Sequence, residues 1–264
     1  MLKGSYQFET LVSHDLEKNN LLKRTHLRLE GFTDLLIRHH FPSQGKILEI
    51  GCAQGVRSYY MAKYFSQATI IGIDRSEELL EIAHDTYRDT SNLSFQLADL
   101  YKLPFADNSF DFIYVRLVFM HLSEPLLAIE SLKRVLRPGG RLLIEDADRD
   151  CMFFEPQPPS FQAFWQKVQE GQRRRGGDPN VGRKLASYLK ASLLKNLHIE
   201  VQPIIGGGEE ISFLIETLMP SLNLYLDTTE RAQGEIAIKA LEELAQDPCS
   251  SFYHFWFAVS AEKS

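Results

Sequence analysis

The chain has 264 residues, 44% of them hydrophobic and 24% charged, enough for a full buried core. Its formal charge of −6 argues against an electrostatic nucleic-acid binder, and its opening "MLKGSYQFET" lacks the apolar core of a signal peptide. No apolar run approaches a membrane span, and Cys52, Cys151 and Cys249 share no metal-ligand spacing and cannot all pair, so a cytoplasmic protein with reduced thiols, no nucleic-acid partner and no membrane partner is expected.

In chain order, residues 8–40 read as helical, with Leu22, Leu29, Phe32, Leu36 and Ile37 on roughly one face. "FPSQG" breaks that pattern. "KILEIGCAQG" (46–55) is then a strand running into two glycines, followed by a helix over 55–65. A strand that ends in a glycine turn before a helix N-terminus brings backbone close to a ligand. "ATIIGID" is the second strand; the helix over 76–89 follows, with Ser76 placed to cap it and Glu77 and Glu78 suiting its dipole. "NLSFQL" (92–97) and "FDFIYVRLV" (110–118) are the third and fourth strands. A helix over 124–136 holds Pro125 in its first turn and sets Leu126, Ile129, Leu132 and Leu136 on one face. "RPGG" ends it, and "RLLIEDA" is the fifth strand. Near-continuous apolar strands alternating with amphipathic helices mean a parallel sheet covered on both faces.

After Asp146 the rhythm changes. Residues 147–197 hold Pro, Gly and aromatic clusters around two or three helical pieces and read as an insertion, a lid and substrate wall carrying Met152, Phe153, Phe154, Phe161, Phe164 and Trp165. The basic run at 173–175 is a solvated loop on one reading and an anion contact on the other. "HIEVQPII" resumes as strand, 209–246 is mostly helical, and "SFYHFWFAVSAEK" is a last strand.

Ligands of a doubly wound sheet bind outside the carboxyl ends of its strands. The first strand offers Glu49, Gly51, Cys52, Ala53 and Gly55 there; the second offers Asp74 and Arg75. The third offers Asp99 and Leu100, the fourth Val115 and Arg116, the fifth Asp146 and Asp148. An acid after the second strand suits a ribose diol, because one carboxylate accepts two hydroxyl hydrogen bonds. A nicotinamide dinucleotide would need G-x-G-x-x-G, and here Ala53 and Val56 stand at the second and third glycine positions. The acid inside the first strand, Glu49, suits an ammonium group better than a pyrophosphate. Together these point to a nucleoside joined to an amino acid, S-adenosylmethionine.

"ILEIGCAQG", "IIGIDRSEELLEIA", "FQLADLYKLPFADNSFDFIYVRLVFMHL" and "LKRVLRPGGRLLIED", in that order, resemble the class I S-adenosylmethionine-dependent methyltransferases, in particular the ubiquinone/menaquinone-type small-molecule group. The resemblance covers residues 46–146 closely; the family pattern has glycine where this chain has Ala53. It implies a Rossmann-like, doubly wound seven-stranded α/β sheet, last strand antiparallel, with N-terminal helices and a helical insertion after the fifth strand. As one methyltransferase domain the chain would divide into an N-terminal helical cap (1–45), a cofactor-binding core (46–146), the helical lid (147–197) and C-terminal strands and helices (198–264). The resemblance also implies roles. Glu49 would orient the loop and the methionine ammonium, and the backbone of Gly51 to Ala53, ahead of Gly55, would run along the methionine. Asp74 would bind the ribose hydroxyls and Arg75 flank the adenine. Asp99 would accept from the adenine amine, the Leu100 amide would donate to the ring, and Val115 and Arg116 would close the methionine end.

Methyl transfer from a sulfonium needs in-line placement more than covalent help, and a base only where the acceptor holds a proton. His121 in "VFMHLSEP" is the candidate catalytic base; the alternative is a helix-entry histidine bonded to backbone. Asp146 and Asp148 lack a histidine partner, so no metal site is expected. Arg24 and His26 either roof the site or are exposed helical charge. The acceptor is expected to be a small apolar or aromatic molecule in a roofed chamber, with His121, Asp148, Arg149, Tyr6 and Arg116 as polar handles. Two other functions stay open: a protein or RNA methyltransferase, disfavoured because "VRLV" stands where an "NPPY"-like tetrapeptide would follow the fourth strand, and a non-methylating binder of the same cofactor.

Overall fold

The computed structural model describes residues 14–27 and 31–264. Its sheet is built from β1 (Gln44–Ile50), β2 (Gln67–Asp74), β3 (Leu93–Leu97), β4 (Phe110–Arg116), β5 (Leu136–Glu155), β6 (Lys195–Gly206) and β7 (Ser251–Glu262), in the order β3-β2-β1-β4-β5-β7-β6. β3, β2, β1, β4 and β5 run parallel, and β7 pairs antiparallel with both β5 and β6. The strand order reverses between β1 and β4, so the carboxyl ends of those two strands open the crevice where such sheets hold ligands. The seven-stranded, doubly wound sheet with an antiparallel last strand is the fold the motifs imply.

Helices α3 (Val56–Tyr64), α4 (Glu77–Tyr87) and α5 (Pro125–Val135) form the crossovers. Ser76 Oγ accepts the Leu79 amide at 3.4 Å as the cap of α4, and Pro125 opens α5, where a missing N–H costs nothing. One face of the sheet packs Leu48, Ile113, Val115 and Ile144 against Ile129 and Leu132 of α5 and against α7 (Leu185–Ala191). Leu126, expected on that buried face, is exposed. The other face packs Ile47, Ile70, Phe112, Tyr114 and Leu143 against Met61 of α3 and Phe32, Leu35 and Leu36 of α2 (Phe32–Arg38).

The helical stretch expected over residues 8–40 is divided. α1 (His14–Leu27) and α2 are separate helices, and Gly31 caps α2 with a left-handed φ of 71°. A residue in that conformation cannot continue a right-handed helix, so the expected common face does not form: Leu22 and Ile37 are exposed while Leu35 is buried. Tyr6 and Leu29 lie outside the described residues, and of His26 only the backbone is described. α1 spans the top of the molecule. Lys18 pairs with Glu78 of α4, Gln54 Nε2 donates to the Lys18 carbonyl at 3.2 Å, and Lys23 and Arg24 bond Glu216 and the Thr217 carbonyl at the far side. Arg24, considered as a roof for the site, is thereby a tie between helices, and its other bond is to Glu17 at 2.5 Å.

The largest departure from the sequence reading is in β5. The strand runs on past Asp146 to Glu155, so the helical insertion begins with α6 (Pro159–Arg174) and not at residue 147. Continuous pairing of Met152–Glu155 with His254–Ser251 of β7 holds that extension. Met152, Phe154, Phe161, Phe164 and Trp165, expected to wall a substrate, belong to a second core, and of these Trp165 also reaches Arg149 on the site side. They pack with α8 (Gly208–Thr217), α9 (Met219–Leu222) and α10 (Thr228–Ala245); Phe153 alone turns outward, stacking on Tyr253 at 5.1 Å. The basic run at 173–175 ends α6, with Arg173 bonded to Asn180 at 2.6 Å and Arg174 to Glu230 at 3.1 Å. Arg173 and Arg174 are thus helical and already bonded, with Arg175 in the turn that follows.

The second core is closed by an approach that only glycine allows. A Cβ on Gly171 of α6 would stand 1.8 Å from the Tyr225 carbonyl oxygen, backbone that cannot swing aside. Gly171→Ala is therefore expected to lower stability by about 3 kcal/mol, the upper part of the overpacking range, measurable as a shifted denaturant midpoint at unchanged slope.

Candidate functional site

The turn after β1 is shaped by three positive φ angles: Gly51 at 71°, Ala53 at 48° and Gly55 at 79°. Gly51 and Gly55 also have no room for a side chain, since a Cβ would come within 2.6 Å of Val118 and 2.4 Å of Phe95 respectively. Ala53 accepts a backbone conformation that glycine would take freely. The turn is fastened to the end of β2: the Gly51 and Cys52 amides both donate to the Ile73 carbonyl, at 2.8 and 3.0 Å. The Ala53 amide donates to Asp74 Oδ2 at 2.9 Å, and the Ser76 amide to Oδ1 at 3.0 Å. Burial raises the Asp74 carboxyl above its ordinary value, opposed by those amide donors. Cys52 is buried behind the turn, and burial together with Asp74 and Glu49 pushes its thiol well up, which keeps it protonated.

Two buried amides flank this turn with unused capacity. Among the described residues, Asn20 of α1, 1% exposed, has an Nδ2 donor without an acceptor, and Gln54, whose Nε2 is taken by the Lys18 carbonyl, has an Oε1 acceptor without a donor. A zwitterionic amino-acid group supplies the two missing partners, a carboxylate and an ammonium. At the next strand end Asp99 Oδ1 accepts the Tyr101 amide at 2.9 Å, with Leu100 buried beside it. Arg75 stands exposed at the end of β2. Glu49, the turn, Asp74, Arg75, Asp99 and Leu100 thus occupy successive carboxyl ends of β1, β2 and β3.

Val115 and Arg116 do not join them. Val115 is fully buried in the core against α5. Arg116 faces the opposite side of the sheet, where its Nε donates to Glu145 Oε1 at 3.0 Å and its guanidinium lies 4.8 Å from the Trp256 ring centre. Sheet alternation is the reason: consecutive side chains take opposite faces, and neither face of the strand body is the crevice. The crevice is met one step later, where Leu117 has a φ of 53° and Val118 packs on Gly51.

Above β4 and β5 lies a second group. His121 is half-buried; desolvation, then Arg149 and Arg75, lower its pKa to about 3, so it is neutral at physiological pH. Its Nδ1 lies 3.4 Å from the Tyr225 hydroxyl. Arg149 is buried, its guanidinium 5.0 Å from the Trp165 ring centre and 5.9 Å from that of Tyr225. A bulge aims it: β5 and β7 pair at Ala147–Trp256 and again at Met152–His254, so four residues, 148–151, stand opposite one. Asp148, in the same bulge, is turned to Asn180 at 3.0 Å and to Arg183 at 2.7 Å. Against a burial penalty those bonds hold its carboxyl below the ordinary value, and it serves as a structural ion pair rather than a handle. Burial raises Asp146 to about 7, with its oxygens accepting the Met120 and Ala147 amides. Among the described residues no three His, Cys, Asp or Glu side chains gather as a metal site. Surface hollows of about 620 and 550 Å³ lie elsewhere, beside α8 and beside Tyr59 and Tyr87.

Sequence reasoning singles out Trp165 for a substrate wall but not Asn20, Gln54, Tyr225 or Gln172 as site residues. Asn20, Gln172 and Tyr225 come from helical segments far from the strand-end motifs, so spacing carries no signal for them. Gln54 lies within the glycine turn, where the sequence signal is one of backbone conformation and says nothing of a side-chain amide.

A methyltransferase-domain family model matches residues 48–144. An uncharacterized methyltransferase of Schizosaccharomyces pombe is 33% identical over 202 residues, covering 73% of this chain and 72% of that one. An O-methyltransferase of Pyrenophora dematioidea is 34% identical over 134 residues, and the chain spans only 50% of its length. Among solved structures the YcgJ protein of Bacillus subtilis superimposes with a TM-score of 0.62 at 18% identity, over 89% of this chain and 98% of that one, a likeness of fold.

Glu49 ties this end of the sheet to α3: Ser58 Oγ donates to it, and burial pushes its carboxyl up to about 7 even though Ser58, Arg57 and Arg116 pull it down. The folded carboxyl holds its proton to higher pH than the unfolded chain, whose ordinary value is 4.5, so folding takes up a proton. Stability from this group is complete below that ordinary value and is lost as pH rises through about 7. Glu49→Gln keeps the shape without the charge. It is expected to match the parent at acidic pH and to exceed it by roughly 1–3 kcal/mol above neutrality. Denaturant midpoints across the range check this, and a gap constant with pH would contradict it.

Proposed function

The chain belongs to the class I S-adenosylmethionine-dependent methyltransferases, and from that premise we propose that it methylates a small, largely apolar or aromatic molecule held beside His121. The observation that carries the acceptor class is the wall beside His121. Tyr225, Trp165 and the α6 and α8–α10 layer stand over the ends of β4 and β5, while α1 crosses above the glycine turn. A site overhung on both sides suits a small molecule better than a folded protein or a duplex. Aromatic ring faces also favour a sulfonium cation. The O-methyltransferase relative accords with this reading.

In this reading S-adenosylmethionine supplies an electrophilic methyl group. The chain's part is to bind, orient and keep water out. Asp74 takes the ribose hydroxyls while still gripping the Ala53 amide, so cofactor and turn share one anchor. Gly51, Cys52, Ala53 and Gly55 give backbone passage; Asn20 Nδ2 and Gln54 Oε1 meet the carboxylate and ammonium of the methionine part. Glu49 supports the turn from beneath through Ser58 and does not touch the ammonium. Asp99 and the Leu100 amide meet the adenine, with Arg75 beside it; Leu117 and Val118 take the place first given to Val115 and Arg116. His121, neutral and beside the Tyr225 hydroxyl, is a weak base here, so it receives a proton only from an acceptor group that attack on the sulfonium methyl itself makes strongly acidic.

Three measurements test the proposal. Labelled cofactor offered to pooled small metabolites, peptides and RNA should mark the small-molecule fraction; label in peptide or RNA, or cofactor binding with no transfer at all, would overturn it. Asp74→Ala should abolish most cofactor affinity in a folded protein, since two hydrogen bonds to a charged acceptor are lost at about 1.5–3 kcal/mol each. Calorimetry giving the parent's affinity would remove Asp74 from the site. His121→Gln should lower kcat by about 100-fold with cofactor affinity unchanged, and equal kcat would return His121 to a structural role.

A further inference from the structure

Arg149 is a guanidinium taken out of water, 6% exposed, with Asp146 acting on it from nearby but no carboxylate in ion-pair contact among the described residues. Its Nε donates to Gln172 Oε1 at 2.8 Å, and that amide is locked by its own donation from Nε2 to the Met120 carbonyl at 2.9 Å. Trp165 and Tyr225 lie against it, ring contacts that favour the charge but accept few of its N–H bonds. The three acids near it in sequence are otherwise engaged: Asp148 by Arg183 and Asn180, Asp150 by Arg183, and Asp146 by the Met120 and Ala147 amides. A buried charge is retained where it is paired and hydrogen-bonded, and the partners given to Arg149 are neutral. Burial lowers its pKa, even though the Tyr225 hydroxyl and Asp146 favour its charge from nearby without an ion pair. The backbone has been rearranged to put the group here, through the four-residue bulge in β5. An ordinary packing role would have been met by any long apolar side chain.

Building on the methyl-transfer reading, we infer that the acceptor carries an oxyanion, a carboxylate or a phosphate, and that Arg149 binds it, with Tyr225 and Gln172 holding the guanidinium fork in place. The geometry suits the fork, which presents paired N–H groups to two oxygens at once. One acidic group at the end of an otherwise apolar acceptor also fixes its direction. The nucleophile is then set at a constant distance from the anchor, beside His121. A sulfonium and a guanidinium in one dry pocket repel each other, and an anionic acceptor relieves that repulsion where a neutral one does not.

The test uses wild-type protein loaded with S-adenosylhomocysteine and titrated calorimetrically with benzoate, phenyl phosphate and neutral benzamide. One of the two anions should bind at least about 10-fold more tightly than benzamide, and which one distinguishes carboxylate from phosphate. Arg149→Gln should bring that anion down to the benzamide level, Arg149→Lys should keep part of the preference, and S-adenosylhomocysteine affinity should be unchanged in both. The inference is overturned if neither anion outbinds benzamide, or if Arg149→Gln leaves the preference intact. Should Arg149→Gln not fold, the wild-type comparison decides by itself. Failure here is separable from failure of the reading beneath it: label passing to neutral and acidic small molecules alike sinks this inference alone, whereas anion binding without transfer to any small molecule sinks the reading.

Discussion

The Ile73 carbonyl and the Asp74 carboxylate together hold the crevice open. Three consecutive amides of the turn, Gly51, Cys52 and Ala53, point at the end of the neighbouring strand and are all satisfied there. A sharply turned backbone cannot bond within itself, so without those acceptors it would bury unpaired donors. Because β1 and β2 are in parallel register through Ile50–Ile73, the acceptors arrive at the right height automatically. The anchoring acid is also the one proposed for the ribose diol, and on that proposal the turn's shape and its affinity are coupled through one side chain.

Beneath the turn, the two faces of the sheet solve different problems. Toward α5 and α7 the packing is aliphatic and aromatic throughout. Toward α2 and α3 the carboxyl ends of β1, β4 and β5 place Glu49, Arg116 and Glu145 under cover, with Arg57 of α3 lying 4.5 Å from the Phe32 ring centre. Arg116 answers Glu145, and Tyr114 reaches the same carboxylate at 3.4 Å. Glu49 is the member without a close guanidinium bond, and burial accordingly keeps its proton on near neutrality. A charged layer of this kind positions the strand ends more than it stabilises them, since desolvation offsets most of the attraction.

On the acceptor side the controlling event is a change in pairing. β5 is drawn out to Glu155 by β7, and the mismatch between the two strands is concentrated in residues 148–151. That bulge separates two neighbours of opposite charge, sending Asp148 to Arg183 and Arg149 under Trp165 and Tyr225. Gly171 then lets the Tyr225 segment approach α6 closely enough to complete the wall. The aromatics of α6 form a core and orient the acceptor side indirectly, by fixing where Arg149 and Tyr225 can sit.

The order of strands and helices through Asp146, the glycine turn and the acids at three successive strand ends were all legible in the amino-acid sequence. Their signals are local: hydrophobic period, caps, glycine spacing and an acid directly after a strand. The break at Gly31, the length of β5 and the directions of Val115 and Arg116 were not, because each depends on what packs or pairs opposite. The same holds for Arg149 and Asp148, adjacent residues of equal promise in the chain that a bulge in one strand, set by its pairing with β7 and not by neighbours in sequence, sends to different fates. By itself the sequence determined the sheet, the cofactor edge and the family, since those rest on short-range patterns. Only the tertiary structure decided which polar groups are spent on each other and which stay available to a ligand, because a hydrogen bond or ion pair is settled by distance in space.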